Sequence, residues 1–311
     1  MTDRRNFFKT TSAAALGAAL SGWSAALLAP QAASAAEASA WATDGFFLNT
    51  GILQGSPEQK FAAAHNAGFA QIELRKQDVA DMPGGAAAVA AACKKIKLSF
   101  ANYQVLSDFD GAPGNMRESK RAEATKILDD GHSAGAKLVL CSSSSLANVD
   151  AERVVADLQW LAAEAARRHL HVAYEPLAWG VLNYTLPQAW ETLKKVNAPN
   201  IGLIVDPYHI FARNRTTADL DDIPTERLAV VQLCDAIMPV AASEYIDRAR
   251  HHRLLPGEGN MDNVALLRKL REKKYRGPIG LEIYNDDLLA GPADVAARRA
   301  MDSLKKVLAE A

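Results

Sequence analysis

The chain has 311 residues, a formal net charge of −1 and a hydrophobic content of 49%. This composition is that of an ordinary globular protein, and without a basic excess it argues against a nucleic-acid-binding protein. The three cysteines, Cys93, Cys141 and Cys234, form no C-x-x-C pair and no zinc-ligand spacing. Disulfide bonds are therefore not expected to organise the fold.

The first 35 residues have the pattern of an export signal. Arg4 and Arg5 precede an Ala- and Leu-rich stretch, and the small-residue sequence "ASA" ends at Ala35. We predict a twin-arginine signal peptide at residues 1–35, cleaved near Ala35, with the Tat export machinery as partner and the periplasm as destination. The apolar stretch is rich in Ala and interrupted by Ser, so no stable membrane anchor is expected. An uncleaved or disordered tail is the alternative.

The rest of the chain alternates between apolar runs and amphipathic stretches. Eight apolar runs are predicted as strands: residues 45–49, 71–74, 98–103, 137–141, 171–175, 201–206, 228–233 and 279–283. Ser56, Pro57 and Gln59 are the residue types of an N-cap, a first-turn proline and a capping box, so a helix is predicted to begin there. Apolar residues recur at helical spacing in 151–169 and 261–274.

Eight strands, each followed by a helical segment, predict an α/β fold of the (β/α)8 TIM barrel type. Residues 36–311 form one domain in this interpretation, because roughly 275 residues is the usual size of one such barrel. An open doubly wound sheet is the alternative. It usually carries a G-x-G-x-x-G turn after its first strand, and this sequence has none there.

Four polar residues stand at or near the ends of the last four predicted strands. They are Glu175, Asp206, Gln232 and Glu282. The carboxyl ends of barrel strands form the active site, and three carboxylates gathered there would repel one another without a cation. Three carboxylates and an amide oxygen suit Mg²⁺ or Mn²⁺. Each residue also has a plainer interpretation: a cap for the next turn, a buried amide, or an ion pair with an arginine.

Two further groups lie close to these residues in sequence. His209 follows Asp206 by three positions, which suits a general base but also an ordinary loop histidine. His252 and Arg253 follow strand seven in "RHHRLLPGEG", where they suit contacts to an anionic substrate or a solvated face. The "PGEG" sequence predicts a tight turn that returns the chain over the rim.

These motifs resemble a known family. E-P after strand five, D-x-x-H after strand six, R-x-x-P-G-x-G after strand seven and a glutamate in strand eight are similar to the xylose isomerase-like TIM barrels, the sugar phosphate isomerase/epimerase superfamily. "AYEPLAWG", "GLIVDPYHIFAR", "VVQLCDA" and "GLEIYND" resemble the 3-dehydroshikimate dehydratases more closely. Gln232 fits that branch, because ketose 3-epimerases usually place a histidine ligand there.

The resemblance implies a set of roles. Metal ligands would be Glu175, Asp206, Gln232 and Glu282. His209 would transfer the proton, Glu175 and Glu282 would also be catalytic, and Arg253 and His252 would contact the substrate. The implied reaction is metal-dependent dehydration of a small molecule, 3-dehydroshikimate, to protocatechuate. Three positions depart from the dehydratase pattern: Ser107 stands where an arginine is expected, and Val181 and Leu182 replace a basic pair.

Two other functions remain open at this point. One is an isomerase or epimerase for an unphosphorylated sugar or cyclitol, since it would begin with the same proton removal beside a carbonyl. The other is a binding protein that has lost turnover, which the presence of His209 and all four candidate ligands argues against. The resemblance also allows a homodimer, although the sequence shows no patch for one.

Overall fold

Eight parallel strands close into a barrel in which each strand pairs with the next and the last pairs with the first. This computed structural model describes Trp41 and residues 45–311, and contacts group Trp41–Ala311 as one compact unit. The predicted signal peptide lies outside the described residues. The strands are β1 Phe46–Asn49, β2 Gln71–Arg75, β3 Ser99–Leu106, β4 Leu138–Ser142, β5 His171–Glu175, β6 Ile201–Val205, β7 Leu228–Leu233 and β8 Ile279–Leu281.

Helices connect the strands and cover the outside of the barrel. Those of the described residues are α1 Pro57–Asn66, α2 Lys76–Asp81, α3 Gly85–Lys95, α4 Arg117–Ala134, α5 Val154–Arg167, α6 Leu186–Val196, α7 Pro207–Ala212, α8 Tyr245–His251, α9 Asn263–Glu272, α10 Asp286–Ala290 and α11 Ala293–Glu310. The predicted start of α1 is confirmed, because Ser56 and Gln59 form a capping box around Pro57. Within the described part of the chain, no helix is long and apolar enough to span a membrane.

The core has two layers, one between the strands and the helices and one inside the barrel. The outer layer joins most of the buried apolar residues, including the α5 positions Leu158 and Leu161. The interior layer is small and apolar: Phe47, Ala101, Leu140, Ala173, Ile204 and Val230. Each fully buried Leu, Ile or Phe contributes about 1.5–3 kcal/mol through removal of apolar surface from water.

The predicted barrel is confirmed, and the open doubly wound sheet is wrong. In an open sheet the two edge strands are apart, whereas here β1 pairs with β8 through Phe46↔Ile279 and Leu48↔Leu281. Predicted and observed strand ends differ by at most three residues. β3 runs three residues beyond its predicted end because Leu106 still pairs with Cys141 of β4.

Candidate active site

The four polar residues predicted at the strand ends lie at one end of the barrel. Glu175 is the last residue of β5, Asp206 and Glu282 directly follow β6 and β8, and Gln232 is the fifth residue of β7. All four are buried, with exposed fractions of 6% or less. Because parallel strands in a barrel end on the same rim, the fold brings these side chains to one site.

Asp206 has two functions in the local structure. Its Oδ1 accepts a hydrogen bond from the backbone N–H of Tyr208 at 2.8 Å, so it caps α7, as the plainer interpretation of the sequence expected. Its Oδ2 faces the site, 2.8 Å from Nη1 of Arg253 and 3.5 Å from Nε2 of His209. The cap fixes the carboxylate, and the second oxygen remains directed at the site.

Arg253 lies inside the site and binds its carboxylates. Nη1 is 2.8 Å from Oδ2 of Asp206, 3.2 Å from Oε2 of Glu282 and 3.0 Å from the carbonyl oxygen of Glu282. Nε donates to the carbonyl of Ala249 at 2.9 Å, and the residue is only 2% exposed. These partners make Arg253 a clamp between two strand ends. Its predicted contact with substrate stays a prediction.

His252, the other predicted substrate contact, has a different environment. Half of its side chain is exposed, and Nε2 lies 3.4 Å from Oδ2 of Asp247. The backbone of His252 pairs in an isolated antiparallel bridge with Asn285, which follows β8. A contact from this ring to a substrate also stays a prediction.

The ring of His209 is oriented by the backbone of the loop after β5. Nδ1 accepts a hydrogen bond from the N–H of Ala178 at 3.0 Å, so the neutral ring carries its proton on Nε2. That N–H lies 3.5 Å from Oε1 of Glu175 and 3.5 Å from Oδ2 of Asp206. Trp179 packs edge-on against the ring at 5.1 Å. At these distances Nε2 makes no hydrogen bond within the described part of the chain, although it is buried. In this tautomer its proton faces the two carboxylates, and the predicted proton-transfer role stays a prediction.

A buried glutamate that sequence analysis did not identify, Glu73 of β2, belongs to the same polar site. It accepts hydrogen bonds from Asn49 at 2.7 Å, from Asn102 at 2.6 Å and from Nε2 of Gln232 at 2.6 Å. Burial is the main cause that raises the pKa of Glu73, and the charge of Glu282 adds to it. The donors come from three different strands, so Glu73 ties β1, β3 and β7 together inside the barrel.

The side-chain amide of Gln232 uses its nitrogen in a hydrogen bond, while its oxygen has no partner within the described part of the chain. Because Nε2 donates to Glu73, the carbonyl oxygen Oε1 faces the opposite way, and this buried oxygen has no hydrogen-bond partner among the described residues. A buried acceptor without a partner is costly unless something else binds it. The orientation of the amide therefore leaves Oε1 of Gln232 available to bind a ligand.

Glu282 is held by three polar side chains in addition to Arg253. Its Oε1 accepts from Nδ2 of Asn49 at 3.3 Å, from Nε2 of Gln104 at 3.1 Å and from Oη of Tyr284 at 3.2 Å. Burial raises the pKa of Glu282 to about 7, against the opposing effect of Arg253. The charges of Glu175 and Asp206 raise it further. Such an excess of negative charge favours a bound cation.

The residues present fit a divalent cation. Ligand atoms of Glu175, Asp206 and His209 lie within 4.8 Å of one another, and the unpartnered oxygen of Gln232 belongs to the same polar region. Carboxylate oxygens retain lone pairs after accepting one hydrogen bond. Glu175, Asp206, Glu282 and Gln232 could therefore offer a hard cation four oxygens, whereas the Nε2–H of His209 points its proton at the carboxylates.

The polar residues that sequence analysis missed had a weak signal in the sequence. Glu73 interrupts the apolar run "QIELR" in mid-strand, and Asn49 and Asn102 similarly end or interrupt the runs of β1 and β3. A polar residue within an apolar strand is an indication of a buried polar contact. Its partner cannot be named without the register of the other strands.

Comparison with known proteins identifies the family. Residues 61–307 match the family described as Xylose isomerase-like TIM barrel. A 3-dehydroshikimate dehydratase of Pseudomonas putida is 31% identical over 263 residues, which cover 84% of this chain and 41% of that relative. The chain belongs to this family, and it spans about two fifths of the length of that dehydratase.

Other relatives have related activities or the same fold. An inosose isomerase of Halalkalibacterium halodurans is 27% identical over 127 residues, 40% of this chain and 43% of that relative. A solved xylose isomerase-like TIM barrel/4-hydroxyphenylpyruvate dioxygenase fusion protein has a TM-score of 0.80 and 29% identity, covering 86% of this chain and 43% of that chain. The IolI protein with a bound zinc atom has a TM-score of 0.74 and 18% identity, and the match covers 86% of this chain and 98% of that chain. The predicted family resemblance is confirmed by the family match and by the dehydratase relative.

Proposed function

We propose that this member of the xylose isomerase-like TIM barrel family is a divalent-metal-dependent lyase that dehydrates 3-dehydroshikimate, or a similar cyclic hydroxy-ketone, to protocatechuate. The observation that carries the proposal is the buried Oε1 of Gln232, which has no hydrogen-bond partner among the described residues. It belongs to the polar site that also holds Glu175, Asp206 and Glu282. The 31% identity to a dehydratase supports the choice of reaction.

Glu175, Asp206, Gln232 and Glu282 would hold the metal. We propose Mg²⁺ or Mn²⁺, because all four donors are oxygens and hard cations prefer them. A divalent cation bound there supplies positive charge at the substrate carbonyl, which lowers the cost of removing a proton from the adjacent carbon. Arg253 holds Asp206 and Glu282 in place for this role through Nη1.

Residues of the protein carry out the proton transfer. Glu175 or Glu282 receives the proton that leaves the carbon, and the raised pKa of Glu282, about 7, suits a group that must both take and return a proton. The N–H of His209 lies 3.5 Å from Oε1 of Glu175, where it stabilises that carboxylate when it is ionised. The same proton then leaves with the departing hydroxyl as water, so no oxidant or reductant is needed.

An isomerase or epimerase of an unphosphorylated keto substrate is the second candidate. The inosose isomerase match favours it, and the first step at the site would be the same proton removal. The difference lies in the fate of that proton, which an epimerase returns to carbon and a dehydratase loses with a hydroxyl.

The test is an ultraviolet assay on the full-length chain, stripped with chelator and reloaded with Mg²⁺ or Mn²⁺. The proposal expects 3-dehydroshikimate to become aromatic protocatechuate only when metal is present. If metal is bound and no protocatechuate forms, the lyase proposal is wrong. A panel of unphosphorylated ketoses and keto-cyclitols would then test the isomerase.

A further inference from the structure

Arg75 is a cation at the active-site rim whose guanidinium has no carboxylate partner in the part of the chain that the structure describes. It is the last residue of β2, and it pairs in register with Gln104 of β3, whose side chain donates to Glu282. Alternate residues of a strand share one face, so Arg75 points to the same side as Glu73, which lies inside the barrel. The side chain is therefore directed to the region above the polar site.

Two neighbours define where the guanidinium lies. Its central carbon is 5.6 Å from the ring centre of Tyr284, whose hydroxyl donates to Oε1 of Glu282 at 3.2 Å. The guanidinium of Arg75 also lies next to Gly51, where an added Cβ would be 2.8 Å from Nη1. A guanidinium held against an aromatic ring can still donate its N–H groups to a ligand.

Two other cations near this end of the barrel already have carboxylate partners. Arg253 binds Asp206 and Glu282, while Lys76, the residue after Arg75, pairs with Glu123 at 2.9 Å. Among the described residues, no carboxylate forms an ion pair with Arg75, and its guanidinium lies over the ring of Tyr284. A half-buried guanidinium without an ion pair in the described structure is available to bind an anionic ligand.

We propose that Arg75 binds the carboxylate of the substrate. A guanidinium presents two parallel N–H groups that match a carboxylate, so the pair gives both affinity and orientation. The need for such a cation is strong here, because Glu73, Glu175 and Glu282 would repel an anionic substrate at the same rim. The inference rests on the proposed function, and it supplies a positive group at a site where Ser107 stands in place of the expected arginine.

The test measures binding rather than turnover. Calorimetry on the Mn²⁺-loaded full-length chain compares protocatechuate with its uncharged amide, 3,4-dihydroxybenzamide, which differ only at the carboxylate. The wild-type chain is expected to prefer the acid by roughly tenfold or more, in line with a hydrogen-bonded charge pair. Arg75→Gln is expected to remove that preference while the affinity for the amide changes less than about twofold.

Two further variants complete the test. Arg276→Gln is the matched control, because it removes the same charge from an exposed residue that precedes β8 at the opposite end of the barrel, and it is expected to keep the preference. Gly51→Ala keeps the charge, but its Cβ would come within 2.8 Å of both Nη1 of Arg75 and Oδ1 of Asn49. It is expected to displace the guanidinium and reduce the preference. An unchanged preference in Arg75→Gln overturns the inference, as does tighter Arg75-dependent binding of a phosphorylated ketose than of protocatechuate.

The outcomes separate this inference from the proposed function. If the wild-type chain does not aromatise 3-dehydroshikimate but shows an Arg75-dependent preference for the acid, the lyase proposal fails and the inference stands. If it aromatises 3-dehydroshikimate and Arg75→Gln leaves both KM and the acid preference unchanged, the inference fails and the lyase proposal stands.

Discussion

Nε2 of Gln232 lies 2.6 Å from Oε1 of Glu73, and this contact fixes which way the buried amide faces. A carboxylate accepts hydrogen bonds, so it selects the amide orientation in which Oε1 of Gln232 has no partner among residues 45–311 and Trp41. Glu73 would thus orient Gln232 toward the proposed metal.

Replacing Glu73 with glutamine should weaken metal binding. An amide at position 73 can satisfy Gln232 in either orientation, so the oxygen is no longer held toward the metal. We expect Mn²⁺ to bind about 10- to 100-fold more weakly, the usual effect of losing a residue that orients a ligand. Calorimetry on chelator-stripped protein measures this. Glu258→Gln, on the turn after Arg253, is the control, and equal affinities for Glu73→Gln and wild type would contradict the prediction.

Two substitutions of His209 separate a donor from a base. His209→Gln keeps an N–H near the position of Nε2, whereas His209→Ala removes it. Because Nδ1 already accepts from Ala178, we expect the glutamine variant to retain kcat within about tenfold and the alanine variant to lose about 10²- to 10⁴-fold. The measurement is kcat of both variants by steady-state kinetics, with their metal affinity measured in parallel. Equal inactivity of the two variants would show instead that the ring removes the proton.

Much of the barrel could be predicted from the sequence, because strands covered on both faces are continuous apolar runs. The same logic located Glu175 and Asp206, where a carboxylate ends such a run. It failed for Glu73, whose donors lie 24, 29 and 159 residues away in the chain. It also did not foresee that Arg253 would be buried against two strand ends. Those contacts depend on register and loop packing, which one sequence does not specify.

The buried carboxyl of Asp110 should make stability depend on pH. Oη of Tyr174 donates to it at 2.6 Å, yet burial raises the pKa of Asp110 from 3.8 to about 7. Between those values the folded chain holds a proton that the unfolded chain has released, so stability falls as the pH rises through this window. Asp110→Asn removes that contribution, because an amide does not titrate.

Urea unfolding of both chains across this window is the measurement. We expect the stability of wild type relative to Asp110→Asn to fall by up to about 1.4 kcal/mol per pH unit between the two pKa values. Above pH 7 the difference should become constant. A difference that is constant throughout the window would show that Asp110 ionises normally in the folded chain.

Gly280 should tolerate no side chain, because β8 passes too close to β1. A Cβ there would fall onto the backbone carbonyl oxygen and the ring of Phe47, and a backbone atom cannot move aside as a flexible side chain can. We expect Gly280→Ala to destabilise the chain by about 1–3 kcal/mol or more. Gly114→Ala, where no atom lies within 4 Å of the added carbon, is the control. Denaturant midpoints measure both, and equal midpoints would contradict the close approach.

The most direct test of the proposed metal site is anomalous diffraction from crystals of the chain loaded with Mn²⁺. The proposal expects one peak within roughly 2.0–2.4 Å of oxygens from Glu175, Asp206, Gln232 and Glu282, with the Nδ1 contact of His209 to Ala178 intact. A peak bound by Nε2 of His209 together with Glu175 and Asp206, leaving Oε1 of Gln232 without a partner, would contradict it. So would crystals that take up no Mn²⁺ at this end of the barrel.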